Sequence, residues 1–331
     1  MSWSLVVAPQ WIGDAVMTEP LLRRLHARGE RLAVGAVPWV APVYRAMPQV
    51  DEVIEFPFRH GGLQWAARRR LTRELRGRFD AAYVLPNSFK SALLPWLAGV
   101  PRRIGYAGEA RIGVLNQRLP NPRGKPPMVA FYSALSGERE GLEQDRPALQ
   151  LAQSAIDDTL AEQGVARGGY LVFAPGAEYG SSKRWPAEHY AALAASLEQP
   201  VLLLGSGKDA PVCEAIVAGA PGRCRSLAGR TSLAEAFALI AAARAVVSND
   251  SGLMHVAAAF GVPQVALFGS SSPRHTPPLN ERAQVLWLKD DPDYQPALDC
   301  APCFARECPL GHHRCLRDIT PARVAALLGE S

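Results

Sequence analysis

Short apolar runs alternate along the chain with longer amphipathic stretches, the pattern of repeated βαβ units that feed parallel sheets. Residues 4–8 predict a first strand, and Gly13-Asp14 leads into a helix over 15–27. Residues 31–37 and 81–85 predict further strands, with an Arg-rich helix around 64–77 between them. The charged stretch GEREGLEQDRPALQ at 137–150 carries no strand pattern and reads as a domain linker. The pattern then restarts, with strands over 170–174, 201–204, 245–248 and 264–268 and helices over 186–197, 233–242, 253–260 and 321–328. Pro186 suits a first helical turn, where no N–H is required. The expected class is α/β, in two consecutive domains, 1–150 and 151–331, with a cleft between them. The last helix is a candidate to pack back on the first domain.

Length agrees with two domains, since 331 residues exceed what one ordinary core organises. Hydrophobic residues make up 48% and charged residues 20%, a globular balance. No apolar run reaches the roughly 18 residues that a membrane-spanning helix needs. The start, MSWSLVVAPQWIGD, lacks a basic segment followed by a long apolar one, so a cytoplasmic location is expected. The net charge of +5 is uneven: residues 1–150 carry 21 Lys and Arg against 13 Asp and Glu, whereas 151–331 carry 15 against 18. A basic first half suits an anionic partner or, equally, a solvated Arg-rich surface. No nucleic-acid-binding module is visible, so nucleic acid is not expected as a partner.

Three loops at strand-to-helix junctions are candidates for chemistry, because open α/β sheets bind ligands at the carboxyl ends of their strands. In WIGDAV, Asp14 stands where a carboxylate either caps a helix or takes a proton from an attacking hydroxyl. In PGAEYGSSKRWP, a Gly-rich turn precedes Lys183, a pairing that suits phosphate and also occurs in plain surface loops. In SNDSGLMH, Ser251 and Gly252 open a helix whose N–H groups attract anions, with His255 one turn in, either as a ligand or as a structural residue. Two anion-type loops in one domain point to a diphosphate.

Other patterns are weaker. The segment Gly205-Ser206-Gly207-Lys208-Asp209-Ala210 resembles a dinucleotide fingerprint but lacks the acid about 20 residues on. Asp291-Pro292-Asp293 sits in a Pro-rich stretch and reads as a loop. Cys300, Cys303, Cys308 and Cys315, with His312 and His313 nearby, offer a possible structural zinc site, with plain thiols or a redox-dependent bridge as the alternatives.

The motifs WIGDAVMTEPLL, VLPNSFKSALLPWLAGVPRRIGY, PGAEYGSSKRWP and NDSGLMHVAAAFGVPQVALFGSSSP, in that order, resemble the ADP-heptose:lipopolysaccharide heptosyltransferases of glycosyltransferase family 9, most closely the type II branch. The resemblance covers nearly the whole chain. It implies a GT-B fold, in which two Rossmann-like αβα domains face each other, with acceptor on the first and donor on the second. It also implies inverting transfer of heptose from ADP-L-glycero-β-D-manno-heptose to the first heptose of the lipopolysaccharide inner core. No cofactor is required in that scheme, and the enzyme works at the cytoplasmic face of the inner membrane. Carried over by motif, Asp14 corresponds to the general base. Lys183, Asp250, Ser251, Gly252 and His255 correspond to the donor site, although relatives often have Thr at the position of Ser251. Thr231 and Asp209 fall near positions that touch adenosine. Lys90, Arg102, Arg103 and Arg111 stand in the domain where the anionic lipid A–inner core acceptor docks. A type I or later core transferase, a nicotinamide-dependent oxidoreductase and a non-catalytic sugar-nucleotide or glycolipid binder are the other readings.

Overall fold

The computed structural model describes residues 2–58 and 62–329. The chain divides into two compact units, Met1–Gln150 and Leu151–Ser331. Among the described residues, no helix is long and apolar enough to cross a membrane.

The first unit contains strands β1 (Trp3–Val7), β2 (Arg31–Ala36), β3 (Glu52–Glu55), β4 (Ala81–Val84), β5 (Arg102–Tyr106) and β6 (Gln117–Leu119). Its helices are α1 (Ile12–Met17), α2 (Glu19–Ala27), α3 (Ala41–Arg45), α4 (Trp65–Leu75), α5 (Phe89–Leu97) and α6 (Met128–Ser133). The strands form one sheet in the order β3-β2-β1-β4-β5-β6, and every pairing is parallel. That order is the doubly wound Rossmann arrangement, whose winding reverses between β1 and β4. Gly35 in β2 has a packing role: a Cβ there would lie 1.9 Å from the Phe56 ring.

The helix expected over 15–27 begins earlier and breaks. α1 starts at Ile12, so Asp14 lies in its first turn, and the chain interrupts at Thr18 before α2. Two features explain the break. Pro20 has no N–H with which to continue the ladder, and the Thr18 hydroxyl donates back to the Ala15 carbonyl at 2.6 Å. The stretch 137–150 is not a loose linker. Arg24 holds both Glu138 and Asp145, the Ala148 N–H donates to Glu19 at 3.1 Å, and Leu149 is buried.

The second unit contains β7 (Leu171–Ala174), β8 (Val201–Leu203), β9 (Cys224–Ser226), β10 (Ala245–Asn249), β11 (Gln264–Phe268) and β12 (Ala283–Trp287). Helices α7 (Gln153–Gln163), α8 (Ala187–Ser196), α9 (Ala210–Gly219), α10 (Leu233–Ala241), α11 (Gly252–Ala259), α12 (Arg314–Arg317) and α13 (Pro321–Gly329) surround the sheet. The order β12-β11-β10-β7-β8-β9, all parallel, repeats that of the first unit with its reversal between β7 and β10. Trp185, fully buried in this core, donates its indole N–H to the Ile319 carbonyl at 2.9 Å. α13 lies against α8 and β11 and places Val324 and Leu328 in the same core, so its apolar face is used within its own unit.

Candidate functional site

Each sheet presents its switch point at the carboxyl ends of two neighbouring strands, and the predicted loops fall there. In the first unit, β1 runs through Ala8 to Gln10 into α1, which sets Asp14 on the carboxyl edge beside β4. Asp14 is not the N-cap residue of α1. That position belongs to Trp11, whose side chain makes no capping hydrogen bond, and Asp14 stands in the first turn. The half-buried Asp14 carboxylate accepts a hydrogen bond from the Tyr132 hydroxyl at 3.2 Å. Burial first, and the Asp14 charge second, push the Tyr132 phenol well above its ordinary value, so it remains a donor. Tyr44, buried on the adjoining α3, is pushed up by the same two causes, and its hydroxyl lies 3.2 Å from that of Thr18. A carboxylate fixed by a phenol in an apolar wall suits proton transfer. Tyr132 and Tyr44 escape sequence reasoning because they lie far from Asp14 along the chain.

The acceptor residues are not brought together. Arg102 and Arg103 open β5, and the parallel register pairs Arg102 with Ala81 and Ala81 with Ser4. They therefore sit on the amino edge of the sheet, opposite the edge that carries Asp14. Arg103 also donates to the carbonyls of Val114 at 2.7 Å and Val100 at 2.6 Å. Arg111 is buried and donates to the Pro86, Gly108 and Tyr106 carbonyls and to Asn87, so it clamps two loops rather than facing an anion. Lys90, exposed in the first turn of α5 after β4, is the one of the four that is both exposed and on the carboxyl edge. An Arg pair in a strand sequence shows no sign of which end of the sheet it occupies, and register decides that.

In the second unit the two anion-type loops flank the switch point. Lys183 follows β7, and Asp250 to Gly252 follow β10. The Lys183 ammonium lies 2.5 Å from the Asp250 carboxylate, with the acid 6% and the lysine side chain 21% exposed. Thr276 approaches the other Asp250 oxygen at 3.5 Å, the outer limit of a hydrogen bond. Asn249, which the motif reading passed over, stitches the loops together. Its amide donates to the Pro175 carbonyl at 2.7 Å, and its oxygen accepts from the Trp185 N–H and the Tyr190 hydroxyl, both at 3.1 Å. Both ends of the Lys183 loop are thus tied to β10.

Ser251 precedes α11 in extended backbone and Gly252 opens it, so unpaired N–H groups and the positive helix end face the same edge. His255 is buried, and burial drives its pKa down to about 4, with Asp250 opposing and Lys183 adding to the fall. At neutral pH it is an uncharged imidazole that donates one N–H, not a second cation. Asp209 and Thr231 follow β8 and β9 on the same edge, progressively farther from the switch point. The Asp209 carboxylate is spent locally, accepting from the Ser206 N–H at 2.9 Å and the Ser206 hydroxyl at 2.8 Å. It also lies against Gly176, where a Cβ would come within 2.5 Å of it. Thr231 is half-buried, immediately before the Ser232 cap of α10.

Among the described residues, no group of three or more His, Cys, Asp or Glu is arranged to hold a metal ion. The four cysteines expected either as zinc ligands or as plain thiols, Cys300, Cys303, Cys308 and Cys315, line one pocket with His312 and His313. Asp291 and Asp293 form the turn read from the sequence, with the Asp293 N–H on Asp291 at 3.0 Å and Arg323 paired to Asp291.

The family model of glycosyltransferase family 9 (heptosyltransferase) matches residues 68–313. The chain is 42% identical to lipopolysaccharide heptosyltransferase 2 of Escherichia coli (strain K12), over 97% of this chain and 95% of that protein. It is 38% identical to lipooligosaccharide heptosyltransferase 2 of Haemophilus influenzae, over 98% of each. The solved E. coli ADP-heptose lps heptosyltransferase II superposes with a TM-score of 0.85 at 40% identity, covering 100% of this chain and 99% of that one. With two Rossmann-ordered sheets, a carboxylate at one switch point and a Lys–Asp pair at the other, the chain belongs to glycosyltransferase family 9, the heptosyltransferases.

Proposed function

We propose that the protein transfers L-glycero-D-manno-heptose, with inversion, from ADP-heptose to the first heptose of the lipopolysaccharide inner core, working on the cytoplasmic face of the inner membrane. The observation that carries this reading is the Lys183–Asp250 pair, which sets a cation beside the N-terminus of α11. The leaving diphosphate gains charge as the glycosidic bond breaks. Lys183, the α11 start at Ser251-Gly252 and the neutral His255 N–H meet that charge, which stabilises the transition state more than the ground state. Asp250 holds Lys183 in position until the diphosphate competes for it. Asp14 accepts the proton of the attacking acceptor hydroxyl, its carboxylate oriented by Tyr132. Lys90 is the residue left to meet an acceptor phosphate.

The type II specificity is supported by the extent of the likeness. Relatives named heptosyltransferase 2 match nearly end to end, whereas heptosyltransferase 1 of Pseudomonas aeruginosa matches 42% of this chain. The test is incubation of the purified protein with ADP-heptose and lipid A–core acceptors carrying zero, one or two heptoses, read by product mass. Product on the one-heptose acceptor alone is expected. Product on the acceptor without heptose would reassign the enzyme to the first step.

A further inference from the structure

Lys183, Asp250 and His255 together leave a charge deficit. Asp250 neutralises Lys183 at 2.5 Å, and His255 is uncharged at neutral pH. Their side chains carry no net positive charge, although a diphosphate is a multiply charged anion. Other cations on the loops of this edge are engaged elsewhere. Lys208 pairs with Glu178 at 2.7 Å and Arg274 with Asp290 at 2.7 Å. Arg184 turns back to the Ala177 carbonyl at 3.3 Å.

A further cation reaches this place from a remote part of the chain. The segment between β12 and α12 runs over the Lys183 loop and is fixed to it through its backbone. Tyr179 donates its hydroxyl to the Phe304 carbonyl at 3.2 Å. Ser182 donates its hydroxyl to the Ala305 carbonyl and its N–H to the Arg306 carbonyl, the latter at 3.2 Å. On the other side, the Phe304 N–H donates to the Ser270 carbonyl at 2.7 Å, just after β11. Gly180 permits the close approach, since a Cβ there would lie 2.2 Å from the Arg306 carbonyl oxygen. Residues 304–306 thus bridge the loops that follow β7 and β11, and β10 lies between those two strands.

That anchoring sets the Arg306 side chain. Its guanidinium carbon stands 5.3 Å from the centre of the Tyr179 ring, and the Lys183 ammonium stands 5.7 Å from the same centre. Two cations therefore gather at one exposed phenol ring, whose face attracts both. Arg306 is itself exposed and, among the described residues, has no acidic partner.

We propose that Arg306 is a second phosphate-binding cation of the donor site, meeting the phosphate next to the sugar rather than the one next to adenosine. Strand order gives the side. Arg306 arrives from the β11 side of the switch point, whereas Asp209 and Thr231, the residues expected near adenosine, follow β8 and β9 on the other side. A guanidinium suits the task because its planar fork gives two parallel hydrogen bonds to phosphate oxygens. As the glycosidic bond breaks, the added negative charge falls on that same phosphate, so Arg306 stabilises the leaving group. The proposal rests on reading the Lys183 loop as the diphosphate site.

Calorimetry with ADP and with AMP tests it, on the full-length protein and its Arg306→Ala, Arg306→Lys and Lys183→Ala variants. Arg306→Ala should weaken ADP about ten-fold and AMP by less than about two-fold, because AMP lacks the phosphate next to the sugar. Arg306→Lys should recover part of the loss, since the charge returns without the fork. The substitution removes an exposed side chain and keeps the backbone carbonyl, so the melting temperature should stay within about 2 °C of the parent's. Unchanged ADP affinity in Arg306→Ala overturns the proposal, and so does equal weakening of ADP and AMP. If Lys183→Ala loses affinity in that same series, the donor reading survives and Arg306 alone is removed. A parent protein that does not bind ADP removes the donor reading and Arg306 with it.

Discussion

At the switch point of the first sheet, a half-buried carboxylate rests among phenols: Asp14 takes a hydrogen bond from Tyr132, and Tyr44 stands close by. At the switch point of the second, Lys183 and Asp250 form an ion pair beside a helix start, with a neutral histidine beneath. Strand order and direction are the same in both units, so topology cannot be the source of the difference. It arises from the few side chains that each loop carries to the edge. A carboxylate held by a phenol is suited to take a proton, and a lysine beside a helix start is suited to hold an anion. On the proposed function, one architecture used twice separates base chemistry from leaving-group chemistry.

The largest expected effect tests the first of these places. Asp14→Asn should lower turnover by roughly 10²- to 10⁴-fold while ADP affinity stays within about two-fold of the parent. Wild-type turnover in that variant would remove Asp14 from the chemistry. Lys183→Ala tests the second place, and here binding should suffer: ADP affinity is expected to fall on the order of ten-fold or more by calorimetry. Stability should fall as well, by about 3 kcal/mol in denaturant unfolding, because the buried Asp250 loses its counter-charge. Equal ADP affinity in the two proteins would contradict the donor assignment.

A smaller effect follows from His255. Its folded-state value of about 4 lies below the ordinary 6.5, so folding favours the neutral ring. The associated stability is whole above pH 6.5 and drains as pH falls from there toward 4, by roughly 3 kcal/mol in all. Thermal melts over that range should show the decline, and His255→Asn should flatten it; parallel curves for the two proteins would refute the assignment. The smallest effect belongs to Arg102. On the amino edge of its sheet, Arg102→Ala should change the acceptor KM by less than about two-fold, whereas Lys90→Ala should raise it by about five-fold or more, one charge-assisted hydrogen bond. The reverse ranking would return the acceptor to the Arg pair.

The strands that the apolar runs reveal, β1, β2, β4, β7, β8, β10 and β11, lie inside the sheets, where both faces are covered and the sequence is continuously hydrophobic. Four of the five that went unread, β3, β6, β9 and β12, are the sheet edges. Their residues are half-exposed or exposed except for Leu286 and Trp287 of β12, and EVIE, QRL and CRS offer no apolar run. The fifth, β5, opens with two arginines and hides its strand character behind their charge. The same logic governs the site. Lys183 is legible in a long Gly-rich connection between β7 and α8, and Asp250 and Gly252 are legible at the start of α11, because both compositions suit an anion. Asn249 was not, because one asparagine at a strand end looks like any turn residue until its partners on the Lys183 loop and α8 are seen.

Local sequence therefore determined the α/β class, the division near residue 150, the interior strands and the loops that carry Asp14, Lys183 and Ser251-Gly252, since these depend on periodicity and on turn chemistry within a few residues. Tertiary structure alone decided which charges share an edge. It sent Arg102 and Arg103 to the far end of their sheet, buried Arg111 among carbonyls, and brought Tyr132 to Asp14 across 118 residues of chain. The physical reason is range. A strand's hydrophobicity is a property of neighbouring residues, whereas register and hydrogen-bond partnership belong to elements that meet only when the sheet is assembled.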